Sequence, residues 1–173
     1  MKKLILLVLA IAFTFSSCEK DDICDANTIT TPRLVISFYD ISNSSVLKNV
    51  TNLSIIEENE TEAVTFNSST LINGSTVSIP LKTDDDVTKY RFILYFGSTT
   101  TPVANEDQIQ FNYTRENVYV SRACGYKTEY TLDQANPFIL TDGAAADQQW
   151  IKYVAVKKST ITNENETHLE IYF

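Results

Sequence analysis

The 173-residue sequence predicts an all-β protein, an antiparallel β-sandwich of immunoglobulin-like type with about nine or ten strands. Three observations carry that expectation. Short runs in which apolar and polar residues alternate recur from residue 33 to the end, the period of two that half-buried strands show. Clusters of Asn, Asp, Ser, Gly and Pro separate those runs at near-regular intervals, as in chains that reverse direction often. Past the first 17 residues, only 144–149 hint at helix, and then for a single turn.

The elements follow in order. Leu34, Ile36 and Phe38 alternate with Val35, Ser37 and Tyr39 and open the series. Residues 40–49, rich in Asn and Ser, read as loop. β-branched runs at 50–56 and 63–66 flank Glu57, Glu58, Asn59 and Glu60, which read as a hairpin turn; the spacing and glycine of a calcium loop are absent. Asn73-Gly74 tolerates positive φ and predicts a tight turn into a strand at 76–81, where Pro80 lacks a ladder donor and so points to a sheet edge. Asp84-Asp85-Asp86 reads as a solvated turn guarding a strand end.

The strongest apolar face comes next. Tyr90, Phe92, Leu94 and Phe96 alternate with Lys89, Arg91, Ile93 and Tyr95, which predicts a core strand. Ile109, Phe111 and Tyr113 alternate with Gln108, Gln110 and Asn112. Residues 114–117 then read as a turn, with strands at 118–124 and 126–132 completing a three-strand meander. Residues 137–141 suggest a short strand that Asp142-Gly143 breaks, and 150–156, apolar on both faces, reads as a central one. In the last strand Leu169, Ile171 and Phe173 face one way and His168, Glu170 and Tyr172 the other. A closed membrane barrel is the competing arrangement, because a terminal Phe on an alternating strand suits one. Several runs are too short for the roughly 9–11 residues a spanning strand needs.

The N-terminal stretch carries an address. Lys2 and Lys3 precede an uncharged run at 4–15, shorter than the about 20 apolar residues of a spanning helix and of the form of a secretory signal. Phe15-Ser16-Ser17-Cys18 resembles the lipobox of bacterial lipoproteins, with Phe where Leu is commoner. Cleavage there would make Cys18 the lipidation site, bearing acyl chains such as palmitate, each buried CH₂ adding about 0.8 kcal/mol of membrane affinity. An ordinary secretory signal is the plainer alternative. Lys20-Asp21-Asp22 looks like the export signal that carries Bacteroidota lipoproteins to the outer face of the outer membrane; a solvated acidic tether is its alternative. The expected organisation is a signal at 1–17, a lipidated tether at 18–32 and one sandwich domain at 33–173. The expected location is the surface of the cell outer membrane.

Charge narrows the partners. Removing Lys2 and Lys3 from 14 basic residues leaves 12 against 22 acidic ones, a net charge of −10 that disfavours nucleic acid. With Cys18 taken by lipid, Cys24 and Cys124 form an even pair in an oxidising compartment, which suggests one disulfide; two separate thiols are the alternative. No metal set, cofactor loop or catalytic group stands out. Two distant cysteines and one histidine do not make a zinc site, and four glycines do not build a phosphate cradle. His168 reads as a solvated surface residue, and an enzyme would need a cleft gathering Asp84, Asp86 or Glu170. Tyr39, Tyr95, Tyr119 and Tyr172 fall opposite the most apolar face of their strands and are the candidate ligand-binding residues, since exposed tyrosines can stack on sugars; strand packing explains them equally well.

The run Cys18-Glu19-Lys20-Asp21-Asp22-Ile23-Cys24, with Thr31-Pro32-Arg33-Leu34, Phe38-Tyr39-Asp40, Gln110-Phe111-Asn112-Tyr113-Thr114 and Tyr119-Val120-Ser121-Arg122-Ala123-Cys124-Gly125, resembles an uncharacterised flavobacterial (Bacteroidota) lipoprotein family of unknown function. That resemblance implies the lipid anchor and the Cys24–Cys124 bond, and no activity. Two functions stay in play. A non-catalytic binding module for glycan or protein ligands predicts a flat or concave face with clustered aromatics. An envelope-assembly lipoprotein, working within an outer-membrane protein complex, predicts an exposed apolar patch or an open sheet edge.

Overall fold

Eleven strands are formed in the computed structural model, which describes residues 23–25, 28, 30–143 and 148–173. The signal at 1–17, Cys18 and Lys20-Asp21-Asp22 lie outside the described residues, as do 144–147 of the expected helical turn. In chain order the strands are β1 (Leu34–Asp40), β2 (Asn43–Leu47), β3 (Ser54–Glu57), β4 (Thr76–Ile79), β5 (Val87–Leu94) and β6 (Asn105–Ser121). They continue as β7 (Gly125–Leu132), β8 (Phe138–Asp142), β9 (Tyr153–Val156), β10 (Thr160–Ile161) and β11 (Leu169–Tyr172). Two compact units result. Ile29–Asn117 and Thr128–Phe173 make one, and Val118–Lys127 groups with the described residues up to Thr28 in the other.

The larger unit is the predicted sandwich. One sheet runs β2-β1-β11-β9, with β4 also on β1; the second runs β10-β7-β6-β5-β3, with β8 also on β6. In the first sheet β11 pairs with β1 over Ile36 to Tyr39, while β4 and β2 take turns along the other side of β1. The β1–β11 pair runs parallel, whereas β1–β2, β1–β4, β9–β11, β3–β5, β5–β6, β6–β8 and β7–β10 are antiparallel. Both sheets are open, so the apolar faces look at each other rather than at lipid. Leu34, Ile36 and Phe38 from β1 and Leu169 and Ile171 from β11 meet Phe92, Ile109 and Phe111 from the facing sheet, all fully buried. Burying a side chain of that kind contributes about 1.5–3 kcal/mol.

The passage from the first sheet to the second is where polar backbone enters the core. The chain leaves β4 through Pro80, Leu81 and Lys82, and three buried tyrosines satisfy the carbonyls there. Tyr90 donates to Pro80 O at 2.6 Å, Tyr130 to Leu81 O at 3.0 Å and Tyr113 to Lys82 O at 3.2 Å. The Thr88 hydroxyl links Tyr113 (2.6 Å) to the Lys82 N–H (3.0 Å). Left unpaired, each buried carbonyl would cost about 1–3 kcal/mol. The low dielectric around these rings raises the phenol pKa values, that of Tyr130 up to about 12, chiefly by burial.

Several local expectations need correcting. Residues 114–117 are not a turn: β6 runs unbroken for 17 residues, and the reversal comes at 122–124, with Gly125 at a φ of +71° that favours glycine. Inward burial stops at Tyr113, and both faces of 114–117 are polar, so the segment mimics a turn. Asn73-Gly74 is not a tight hairpin turn either. The Gly74 carbonyl accepts from Val50 N and the Asn73 side chain from Asn52 N, which lays this segment alongside 50–52. Residues 150–156 were expected as a central strand, yet β9 is the outer strand of its sheet; Trp150 and Ile151 are buried ahead of it and account for the apolar run. Pro80 follows β4, which pairs only with β1, in keeping with the expected edge.

Candidate functional site

Register decides which side chains become neighbours. Across the outward face of the first sheet, Leu47 of β2 stands opposite Tyr39 of β1, Tyr39 opposite Tyr172 of β11, and Tyr172 opposite Tyr153 of β9. The result is one row of three tyrosines flanked by an exposed leucine. Tyr39 and Tyr172 stack at 5.5 Å between centroids, and Tyr153 leans on Tyr172 at 5.7 Å with a 42° tilt. Stacking occupies the inner faces of the row. Since β9 has no neighbour beyond it, the far face of Tyr153, a residue 58% exposed, remains open to solvent.

The next residues along the strands set a polar floor beside that row. Ser37, Glu170 and Ala155 are register partners on the same face. Glu170 is buried to within 9% exposure; one carboxylate oxygen accepts from the Tyr172 hydroxyl at 2.7 Å and the other faces Lys157 at 3.5 Å. The hydrogen bond to Glu170, followed by burial and the carboxylate charge, pushes the Tyr172 phenol up to about 12. Tyr172 is therefore a fixed donor to Glu170, whereas the Tyr153 hydroxyl makes no protein hydrogen bond among the described residues.

The four tyrosines singled out from sequence thus separate. Tyr39 and Tyr172 meet in the row. Tyr95 follows β5 in a turn with a φ of +55°, its ring half-buried against the core, so it is a packing residue rather than a free platform. Tyr119 belongs to the other unit and pairs edge to face with Tyr126. Tyr153 was missed because its strand reads as apolar on both faces; its parity, opposite to the buried Val154, was the signal available.

His168 departs from expectation more sharply. It lies on the predicted face yet is fully buried, its Nδ1 accepting from Val35 N at 3.0 Å, with its backbone N–H donating to Val35 O. Alternation tells which face a side chain takes, not whether that face is covered. Desolvation lowers the imidazole pKa, so the ring is neutral, and Nε2 has no protein partner. It is a structural residue, not a surface one.

The carboxylates proposed for an enzyme cleft do not gather. Asp84 is exposed in its turn, Asp86 bonds Arg115 Nε at 2.7 Å, and Glu170 sits in the other sheet from Arg115. One carboxylate that sequence reading passed over is Asp107, fully buried in β6, holding Ile151 N at 2.7 Å while its second oxygen has no partner. Burial pushes its pKa up to about 6, with Asp142 opposite adding to the effect. The Asp107 contacts lock Trp150 and Ile151 into place and open on no cleft lined by other catalytic groups. Among the described residues no group of three or more His, Cys, Asp or Glu could hold a metal ion. A groove of about 510 Å³ runs beside β4, lined by residues that include Arg33, Phe66, Asn73, Thr76 and Glu164, and offers one aromatic ring against the row's three.

Cys24 and Cys124 are joined in a disulfide across 100 residues of sequence, with 4.9 Å between their Cα atoms. Comparison with known proteins gives one match: the profile of a family of unknown function (DUF6452) covers residues 34–173. No curated protein and no solved structure matches the chain.

Proposed function

The chain belongs to this family of unknown function, and we propose that it is a lipid-anchored, surface-exposed outer-membrane protein that binds glycan, without catalysis, on the Tyr39–Tyr172–Tyr153 row. The observation that carries the reading is the row itself. Three rings stand in cross-strand register on an outward sheet face, Tyr39 and Tyr172 half-buried and stacked on each other and Tyr153 exposed, so the row ends in an open aromatic surface able to bind C–H groups. A pyranose offers the matching chemistry: an apolar C–H face for a ring and peripheral hydroxyls for carboxylate and lysine groups. Tyr153 supplies the open ring face and a hydroxyl without a protein partner among the described residues; Lys157, whose side chain is about half exposed, supplies the polar contact, with buried Glu170 holding Tyr172 in place. Cys18 supplies the membrane attachment through its acyl chains, and Lys20-Asp21-Asp22 the export to the outer leaflet.

Attachment through protein contacts, as in envelope assembly, has one observation in its favour. β2 is an open outer strand whose residues are all exposed, with Val46 and Leu47 among them, the kind of edge a partner strand can extend. A glycan array probed with wild type and with Tyr153→Ala separates the two. Binding to saccharides that Tyr153→Ala abolishes supports the row. An array without hits, together with a membrane protein co-purified through β2 and lost on Val46→Lys, would replace it with the assembly reading. Metabolic labelling with an alkynyl fatty acid tests the anchor: label on wild type and none on Cys18→Ser is the expected pattern.

A further inference from the structure

We propose that the Val118–Lys127 hairpin rests on the bilayer that holds the acyl chains, with Tyr119 and Tyr126 lodged at the lipid headgroups. This rests on the lipid-anchor reading of Cys18 above. The two rings meet edge to face at 5.4 Å and are 58% and 70% exposed, so the pair is a large amphipathic surface that the protein itself leaves in water. Ile23, in the same unit, is more exposed still.

The disulfide supplies the reason to name the bilayer as occupant. Cys124 is bonded to Cys24, and Cys24 lies six residues from Cys18. Six fully extended residues span at most about 22 Å. With the 4.9 Å between the bonded Cα atoms added, Cys124 in the hairpin turn cannot stray further than about 27 Å from the residue bearing the lipid. Tyr126 is two residues from Cys124, and Tyr119 touches Tyr126, so both rings share the leash. Tyrosine is the side chain that settles at the membrane–water boundary, its ring among the upper acyl carbons and its hydroxyl in the headgroups. Charge agrees with that placement. Residues 118–127 include Arg122 and Lys127 and no carboxylate, so in a mature chain of net charge −10 the hairpin itself brings no negative charge to anionic headgroups.

The test uses the lipidated, full-length protein carrying Tyr126→Trp, reconstituted in phosphatidylethanolamine and phosphatidylglycerol vesicles with brominated acyl chains. Emission from the buried Trp150 is subtracted with the unsubstituted protein. The added indole should be blue-shifted and quenched, and an indole placed by Tyr153→Trp should be neither. Replacing both Cys24 and Cys124 by Ser should release the leash and reduce the quenching while the protein stays on the vesicles. Mass spectrometry of the mature protein separates the two possible failures. An unacylated Cys18 overturns the anchor and the docking together. An acylated, vesicle-bound protein whose indole at position 126 emits as in water, unquenched, overturns the docking and leaves the anchor standing.

Discussion

Asp107 and His168 are the two residues at which burial and charge conflict, and they pull stability in opposite directions with pH. For Asp107 the folded carboxyl titrates near 6, above the ordinary 3.8, so the folded protein holds that proton more tightly than the unfolded chain does. Stability from this group is fully present below the ordinary value and is lost as pH rises through about 6. Asparagine keeps an acceptor for the Ile151 N–H and removes the charge. The stability difference between Asp107→Asn and wild type should therefore shift in the variant's favour by on the order of 2–3 kcal/mol between about pH 4 and about pH 7, read from urea denaturation at each pH. A difference that stays flat with pH would mean the carboxylate is not desolvated. His168 has the other sign. Its folded pKa is lowered by burial, so the unfolded chain takes the proton first and stability falls as pH drops below 6.5, the ring's acceptor role toward Val35 N being lost on protonation. Gly143 is constrained by space rather than charge: a Cβ there would stand 2.3 Å from the Glu106 carbonyl oxygen, so Gly143→Ala must displace backbone.

At the scale of elements, the alternating runs located most strands because period-two burial is a direct product of pleat geometry. β5 shows it plainly, with every second residue from Thr88 to Leu94 buried. The misreadings arose where that signal stops. The outer half of β6 has polar residues on both faces, and a strand without a buried face cannot be told from a turn. Asp107 was legible, since it shares parity with Ile109, Phe111 and Tyr113, but a carboxylate in an inward register reads as a strand end. The tyrosine row was legible only in part. Tyr39 and Tyr172 could be assigned a face, while their meeting with Tyr153 depends on the parallel β1–β11 pairing and the β11–β9 register, which no local pattern specifies. The crossover after β4 makes a prediction of its own. Tyr90→Phe keeps the ring and removes the donor to Pro80 O, so it should destabilise the fold by about 1–3 kcal/mol in chemical denaturation, with binding at the distant row unchanged. A neutral effect would show that solvent reaches that carbonyl.

For the whole molecule, the disulfide is a constraint on the unfolded chain. The Cys24–Cys124 bond closes 100 residues, and the chain-entropy model gives about 4.7 kcal/mol for a loop of that length. Reduction, or exchange of both cysteines for serine, should lower the denaturation midpoint, with that figure as the upper bound; an unchanged midpoint would show that the bond only tethers the N-terminal segment to the hairpin. The sandwich then presents its first sheet outward as a rigid surface, on which three tyrosines from three strands are held by backbone register rather than by loops. On the proposed function, this surface takes a saccharide through the open face of Tyr153. The most direct measurement is an NMR titration of tyrosine-ring resonances, with envelope-derived oligosaccharides added to the protein. Saturable shifts are expected at Tyr153, smaller ones at Tyr172 and Tyr39, and none at Tyr95; shifts confined to other tyrosines, or a saccharide bound equally well by Tyr153→Ala, would rule out binding at the row.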